Sequence, residues 1–472
     1  MALGACSGGG RRTASPSSST PAASGPGRPL LVGVITPLTG PYGYVGKMVT
    51  AALTATSRHI DVDLGGSFAG YRPVVITADA PLTAADGQTA YTHLKGQNVD
   101  AVLWCGAPGL DEVLPAVVAD LTPVIAVGTD LQSLGATDPS VPDLSSSQAN
   151  GFPVFQLAVP LAGAFDALAA YAATDRRLTR TAVVWSAASA GADKAWSTAC
   201  TNHRLEPLVS LSFDASAGTP DLSPAVLALR AADVQFVVFV GAAPDAAHMA
   251  TGLDFVGGRY VDTPTAREGG FHPMLAGVAD ATGTTAFASL GGPHAAKGTI
   301  SVTNLGGATG LPRLPIRDWL SRFVAGYGIP RGGEDGPADA VALLLAAAGA
   351  ARSTAGADLV AAIEAEGALA FATPVAVGCK PDRHVAPATG DIALLTLESA
   401  PEPRYDLGRE WGEVFHAGAR TPDLLLDPTF PANRAAHPDL MGQVTAARFG
   451  ISSQASYQEG DPAKMAACHA VH

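Results

Sequence analysis

Short apolar runs, each bounded by Gly, Pro or Asp and followed by an Ala-rich stretch, begin at Leu30 and recur along the chain. The strand-like runs are residues 30–35, 73–77, 101–105 and 124–127, with helical stretches over 48–59, 84–95 and 110–120. A second series has strands at 181–185, 208–213, 236–240 and 274–277 and helices at 164–173, 192–203 and 222–231. Strands this apolar leave no face for water, and their alternation with helices implies parallel sheets covered on both sides. The pattern predicts an α/β chain with two doubly wound parallel-sheet lobes in tandem. A third stretch, 316–366, reads as helices only; lacking strands of its own, it is expected to pack back on the first lobe.

Composition narrows the partners. The chain has 472 residues, 47% hydrophobic and 15% charged, the balance of a well-cored globular protein with room for two or three domains. Its formal charge of -13, from 29 basic and 42 acidic side chains, offers no positive field for a phosphate backbone, so nucleic acid is not an expected partner. The most apolar stretch, 338–351, is 14 residues long, short of the roughly 20 that a membrane-crossing helix needs. Five cysteines (Cys6, Cys105, Cys200, Cys379 and Cys468) form no Cys-x-x-Cys pair, and His272 and His384 have no neighbour in the sequence at metal-ligand spacing. No metal or cofactor is expected, and structural roles are favoured for both histidines. With Cys6 set apart, the other four cysteines are compatible with zero, one or two disulfides.

Residues 1–29 are rich in Ser, Pro, Thr, Ala and Gly after Leu3-Gly4-Ala5-Cys6. This resembles the lipobox of bacterial lipoproteins followed by a flexible tether. The resemblance implies a lipid on the Cys6 thiol, an apolar signal upstream of Met1, and a location outside the cytoplasm, anchored to the outer face of the cell membrane.

The run Val32-Gly33-Val34-Ile35-Thr36-Pro37-Leu38-Thr39-Gly40, with Gly46 following, resembles the first strand and loop of type I periplasmic solute-binding proteins, in particular the branched-chain amino acid (Leu/Ile/Val) binding group of ABC transporters. Further matches fall in the family's order: Asp79, then Val99-Asp100-Ala101-Val102, then Pro123-Val124-Ile125 ending at Gly128-Thr129, and later Asp335-Gly336-Pro337-Ala338-Asp339-Ala340-Val341. The similarity covers about 30–397. It implies two lobes joined by a three-stranded hinge: 30–152 with 303–371 as the N-terminal lobe, and 153–302 with 372–400 as the C-terminal lobe. Residues 401–472 extend beyond the usual family end, and Trp411, Phe415, Leu424, Leu425, Leu426 and Phe430 suggest that this extension packs on the surface.

In open parallel sheets ligands sit beyond the carboxyl ends of the strands, where helix N-termini favour an anionic group by roughly 0.3 to 1 kcal/mol. The loop Cys105-Gly106-Ala107-Pro108-Gly109 fits, since small residues let a ligand approach the backbone. Gly128-Thr129-Asp130 fits equally. By resemblance these two loops hold the ligand, with Thr129 supplying a hydroxyl; turn chemistry for the glycines and a helix cap for Thr129 account for them as well. Tyr42 and Tyr44 are expected in the first loop, as an aromatic wall at the cleft mouth. In the opposite lobe the family's Tyr-Gly pair and later acidic residue hold an α-ammonium. Here the first place reads Ser189-Ala190-Gly191 and the second Ala276-Gly277-Val278, so this signature is incomplete. Either Glu334 and Asp335, placed near the cleft by family order, act as the cation partners, or the ligand carries no ammonium.

The resemblance implies a non-enzymatic binding protein of an ABC importer, engaged in amino acid transport or the transport of a related carboxylate or amide. Its partners would be a small-molecule ligand, the permease membrane subunits, and the membrane through a lipid anchor only. A ligand-sensing receptor module on the same fold is the alternative. Gly-x-Ser-x-Gly, His-Glu-x-x-His, the phosphate-binding Gly-x-x-x-x-Gly-Lys and the dinucleotide glycine fingerprint are all missing from the sequence, which leaves catalysis without a motif.

Overall fold

The structure, a computed structural model, describes residues 27–40, 42–128, 142–144, 146–189, 191–215, 219–256, 271–278, 281–282, 287, 299–304, 335–366, 379–386, 392–397 and 424–426. The first sheet comprises β1 (Arg28–Thr36), β2 (Tyr71–Asp79), β3 (Ala101–Cys105), β4 (Val124–Val127) and β5 (Val154–Gln156). These strands are all parallel, in the order β2-β1-β3-β4-β5. Helices α1 (Gly43–Val62), α2 (Ala84–Gly96) and α3 (Leu110–Asp120) connect them. The second sheet holds β6 (Arg180–Ser186), β7 (Glu206–Phe213), β8 (Phe236–Val240), β9 (Met274–Val278), β10 (Ile300–Asn304), β11 (Ile392–Leu397) and β12 (Leu424–Leu426). Its order is β12-β11-β10-β9-β8-β6-β7, parallel from β7 to β10 and antiparallel at β11 and β12. Helices α4 (Leu161–Ala170), α5 (Ala192–His203), α6 (Ser223–Ala231) and α7 (Ala243–Val256) belong with it. The chain also forms α8 (Asp335–Ala351) and α9 (Gly356–Glu366).

Period-two alternation splits each sheet between two cores. In the first, Val32, Val34, Leu103, Cys105, Ile125 and Phe155 face α1, α8 and α9, while Ile35, Val102, Trp104, Val124 and Ala126 face α2 and α3. In the second, Val184, Val237, Phe239 and Leu275 face α6 and α7, and Val183, Phe236, Val238, Ala276 and Ile300 face α4 and α5. Both sheets are thus covered on both sides. The apolar 338–351 stretch lies within α8, whose Ala340 to Leu345 are all buried in the first core. No single described helix is long and apolar enough to cross a membrane.

Several elements differ from the sequence reading. Helix α1 starts at Gly43 rather than 48; Gly43 and Gly46, poor helix formers, occupy its first turn and hide that start in the sequence pattern. Gly46 is required there: a Cβ would lie 2.4 Å from the Pro37 carbonyl oxygen. Tyr44 therefore stands in a helix, with Tyr42 as the capping residue, and not in a loop. Helix α7 and the strands β5, β10, β11 and β12 were not among the elements read from the sequence. The three described cysteines, Cys105, Cys200 and Cys379, are buried and form no disulfide with one another, and Cys6 and Cys468 lie outside the described residues.

Segments 151–156 and 379–386 run side by side and are clamped by His384. This side chain is fully buried, stacked on Phe155 with ring centroids 4.3 Å apart. Its Nδ1 donates to the Val154 carbonyl (3.0 Å), and its Nε2 pairs with Glu364 Oε1 of α9 (2.9 Å), which also accepts the Gly151 N–H (2.6 Å). Main-chain bonds from Gln156 N–H to His384 O and from Ala386 N–H to Gln156 O, each 2.8 Å, complete the pairing. Burial pushes the nearby Cys379 thiol up to about 12, which keeps it protonated.

The loop after β3 is pinned against α2. A Cβ on Gly87 would lie 2.1 Å from the Pro108 carbonyl oxygen and 3.1 Å from the Trp104 ring, and one on Gly109 would lie 2.4 Å from the Ala84 carbonyl oxygen. Gly87→Ala is therefore expected to lower stability in urea unfolding by about 1 to 3 kcal/mol, although alanine is the better helix former. A gain in stability would show that the loop is not held there.

Candidate functional site

The register brings strand ends level. Ile35 lies opposite Trp104 and Trp104 opposite Ala126, so β1, β3 and β4 deliver their following loops to one end of the first sheet. Trp185, Val240 and Val278 are level in the second sheet. Asp79 fixes the first of these loops: its carboxylate accepts the Leu38 N–H (2.8 Å), the Thr39 N–H (3.3 Å) and the Thr39 hydroxyl (2.5 Å). The loop after β3 turns at Gly106 and Gly109, both at positive φ (64° and 86°), where glycine is the unstrained residue. Gly106 N–H donates to Val127 O (3.1 Å), joining this loop to the end of β4, and Trp104 Nε1 donates to Ala107 O (2.6 Å).

The first turn of α1 meets the first turn of α7. Tyr44 packs against the cores of both lobes, and its phenol oxygen accepts the Ala243 N–H at 3.4 Å. Asp245 sits in the same turn of α7 and is only 5% exposed. The Ala242 backbone amide hydrogen-bonds this carboxylate, as an acidic residue in a helix's first turn can do for the capping position. The other oxygen, Oδ2, has no hydrogen-bond partner. Burial pushes the Asp245 pKa from 3.8 up to about 6, against the opposing effects of His248 and the Ala242 amide. The Tyr42 phenol is raised above 10.0, first by its own burial and then by the charge of Asp245. A half-buried phenol and a buried carboxylate from different lobes thus share one electrostatic environment.

Of the residues singled out in the sequence, Tyr42, Tyr44, Gly106, Ala107 and Gly128 lie at this end of the first lobe. The Cys105 side chain turns away into the core and is 1% exposed, so only its backbone is at the loop. Gly128 is exposed, with φ at 72°. Asp335 opens α8, and this helix begins at the carboxyl end of β4: a Cβ on Gly336 would lie 2.7 Å from Val127 Cγ1. Thr129, Asp130, Ala190, Glu334 and Cys6 lie outside the described residues. Asp111 and Glu112 in the first turn of α3 already hold negative charge there, which weakens the attraction of that helix end for an anion. Asp245 was missed. Its signal was Pro244-Asp245 after the apolar run 236–240, the spacing of a helix start. Among the described residues no cluster of His, Cys, Asp and Glu has the makings of a metal site.

Known proteins place this architecture. A type 1 periplasmic binding protein from Bordetella pertussis Tohama I superimposes with a TM-score of 0.65 at 18% identity, over 79% of this chain and 98% of its own. A solute-binding protein of an ABC transporter from Rhodopseudomonas palustris BisB5, in complex with 3,4-dihydroxybenzoic acid, gives 0.61 at 16% identity over 78% and 93%. A leucine-binding protein from Thermotoga maritima MSB8 gives 0.61 at 16% identity over 78% and 95%. No curated protein sequence matches the chain. The periplasmic binding protein family model matches residues 29–400, and with two doubly wound lobes meeting at Tyr44 the chain belongs to that family.

Proposed function

We propose that the chain is the extracytoplasmic solute-binding protein of an ABC importer, receiving a small polar solute between its two lobes and presenting the closed form to permease subunits. The observation that carries this reading is the contact of Tyr44 with both cores, at the level carboxyl ends of both sheets. A ligand there touches each lobe, so its binding energy favours the arrangement in which the lobes approach. The family is one of binding proteins, and binding rather than catalysis is the function this reading assigns. A lipid on Cys6 would hold the protein at the outer face of the membrane. In this reading the three crossings between lobes fall near 150–159, 297–302 and 371–377.

A thermal-shift screen of small metabolites, including L-leucine and 3,4-dihydroxybenzoate, tests the reading. A ligand at 100 times its Kd stabilises the fold by about 2.7 kcal/mol, a shift readily measured. Gly106→Trp and Gly128→Trp are expected to abolish that shift while the circular dichroism stays unchanged. Unaltered affinity in both variants would move the site elsewhere.

The buried carboxylate gives a pH signature. Because the folded-state pKa of Asp245 lies above 3.8, at about 6, the native protein binds the extra proton between those values and its stability falls as pH rises through that window. Asp245→Asn is accordingly expected to raise the Tm of the ligand-free protein near pH 7.5 and to have little effect near pH 4. An equal gain at both pH values would show that the ionised carboxylate is not the source.

A further inference from the structure

The seam between the lobes is made of two helix starts, and one of them buries an acid there. Asp245 in the first turn of α7 is 5% exposed, and its Oδ2 meets no donor among the described residues. Across the seam stand two side chains of the first lobe. Tyr44 packs on the cores of both lobes and meets the Ala243 N–H at 3.4 Å, and Tyr42 is close enough for its phenol to feel the Asp245 charge. Water that would solvate this carboxylate is therefore displaced in part by rings belonging to the opposite lobe. The other surroundings compensate little. Strands β8 and β9 beneath α7 carry no charged residue, Arg230 of α6 and Lys47 of α1 are exposed, and Asp254 lies more than two turns further along α7. The exposed His248, one turn on, is the charged neighbour that favours the ionised form.

We propose that Asp245 is an acid-sensitive latch of the lobe contact: when protonated it lets the first turns of α1 and α7 stay together, and when ionised it favours their separation, which gives the carboxylate access to water. This rests on the reading in which the lobes open and close, and it needs no ligand. The sign follows from burial. In the contact the carboxyl titrates at about 6, whereas one released into water returns toward 3.8, so the contacting form binds the extra proton between these values. Contact is thus favoured in acid and loses ground as pH rises through about 6. The Ala242 amide precedes the same helix and accompanies Asp245 in either arrangement, so it does not distinguish them. The tyrosines do, because they belong to the other lobe.

Electron-electron double resonance on the ligand-free full chain tests the latch. Spin labels are placed through Glu112→Cys and Lys194→Cys, exposed positions in the first turns of α3 and α5, with Cys6 and Cys468 changed to serine. The buried Cys105, Cys200 and Cys379 are shielded from the label. Between pH 4.5 and pH 7.5 the ratio of the longer-distance to the shorter-distance population is expected to rise about 10-fold in the chain that keeps Asp245. In Asp245→Asn, which retains an oxygen for the cap and cannot ionise, it is expected to change by less than about 2-fold. Asp245→Ser takes the place of that variant if the asparagine chain does not fold. A ratio that ignores pH in the presence of Asp245 overturns the latch. So does a pH response that persists without the carboxylate, and its loss in His248→Gln would then assign the response to the histidine. Since no solute is present, either failure leaves the solute-binding reading to be decided by the metabolite screen.

Discussion

Parallel strand pairing is the constraint on which the site depends. A parallel pair cannot be closed by a tight turn, so each strand must hand the chain to a helix that returns along the sheet. Every strand of a lobe's parallel core then points its carboxyl end the same way, and the loops that follow gather there. In this protein the register sharpens that geometry, because Ile35, Trp104 and Ala126 share one level in the first sheet and Trp185, Val240 and Val278 share another in the second. Two packed cores per lobe hold those ends still. What remains free to vary is the short chain beyond them, and there close approaches at Gly46, Gly87 and Gly109 leave little slack.

Much of this was legible in the sequence. Strands β3 and β8 are buried at every residue, so their apolar runs announce them without need of periodicity. Helix α1 was read short because glycines fill its first turn, and that error put Tyr44 in a loop. Helix α7 is Ala-rich around Met249 and Leu253 and interrupted by Gly252, so its pattern is faint. The site itself was half legible. Glycines and tyrosines of the first lobe gather at the level strand ends because they follow strands in the sequence. Pro244-Asp245 marks a helix start, but its nearness to the tyrosines was beyond reach: Tyr44 and Ala243 meet across 199 positions of chain, and only the packing of one lobe on the other brings that turn to them.

The His384 clamp shows how the connection between lobes avoids becoming a loose joint. One imidazole satisfies a carbonyl of β5 and a carboxylate of α9, and that carboxylate also takes the Gly151 amide. Removing either partner leaves buried polar groups without bonds, a cost of roughly 1 to 3 kcal/mol for each neutral group and more for a charged one. Segments 151–156 and 379–386 are therefore tied to α9 and to each other, and any rotation between lobes has to be absorbed by backbone outside this knot. Fully buried and doubly bonded, the histidine is a structural part.

The three residues of β12 have a consequence of a different kind. Without them β11 would end the second sheet with a row of open amides and carbonyls, a template on which a neighbouring molecule's strand can stack. Leu424–Leu426 occupy that place from within the same chain. Among the described residues they form an edge three residues long, where an incoming strand would find few bonds to make. Self-pairing of this kind acts as a barrier to strand-by-strand association between copies of the chain.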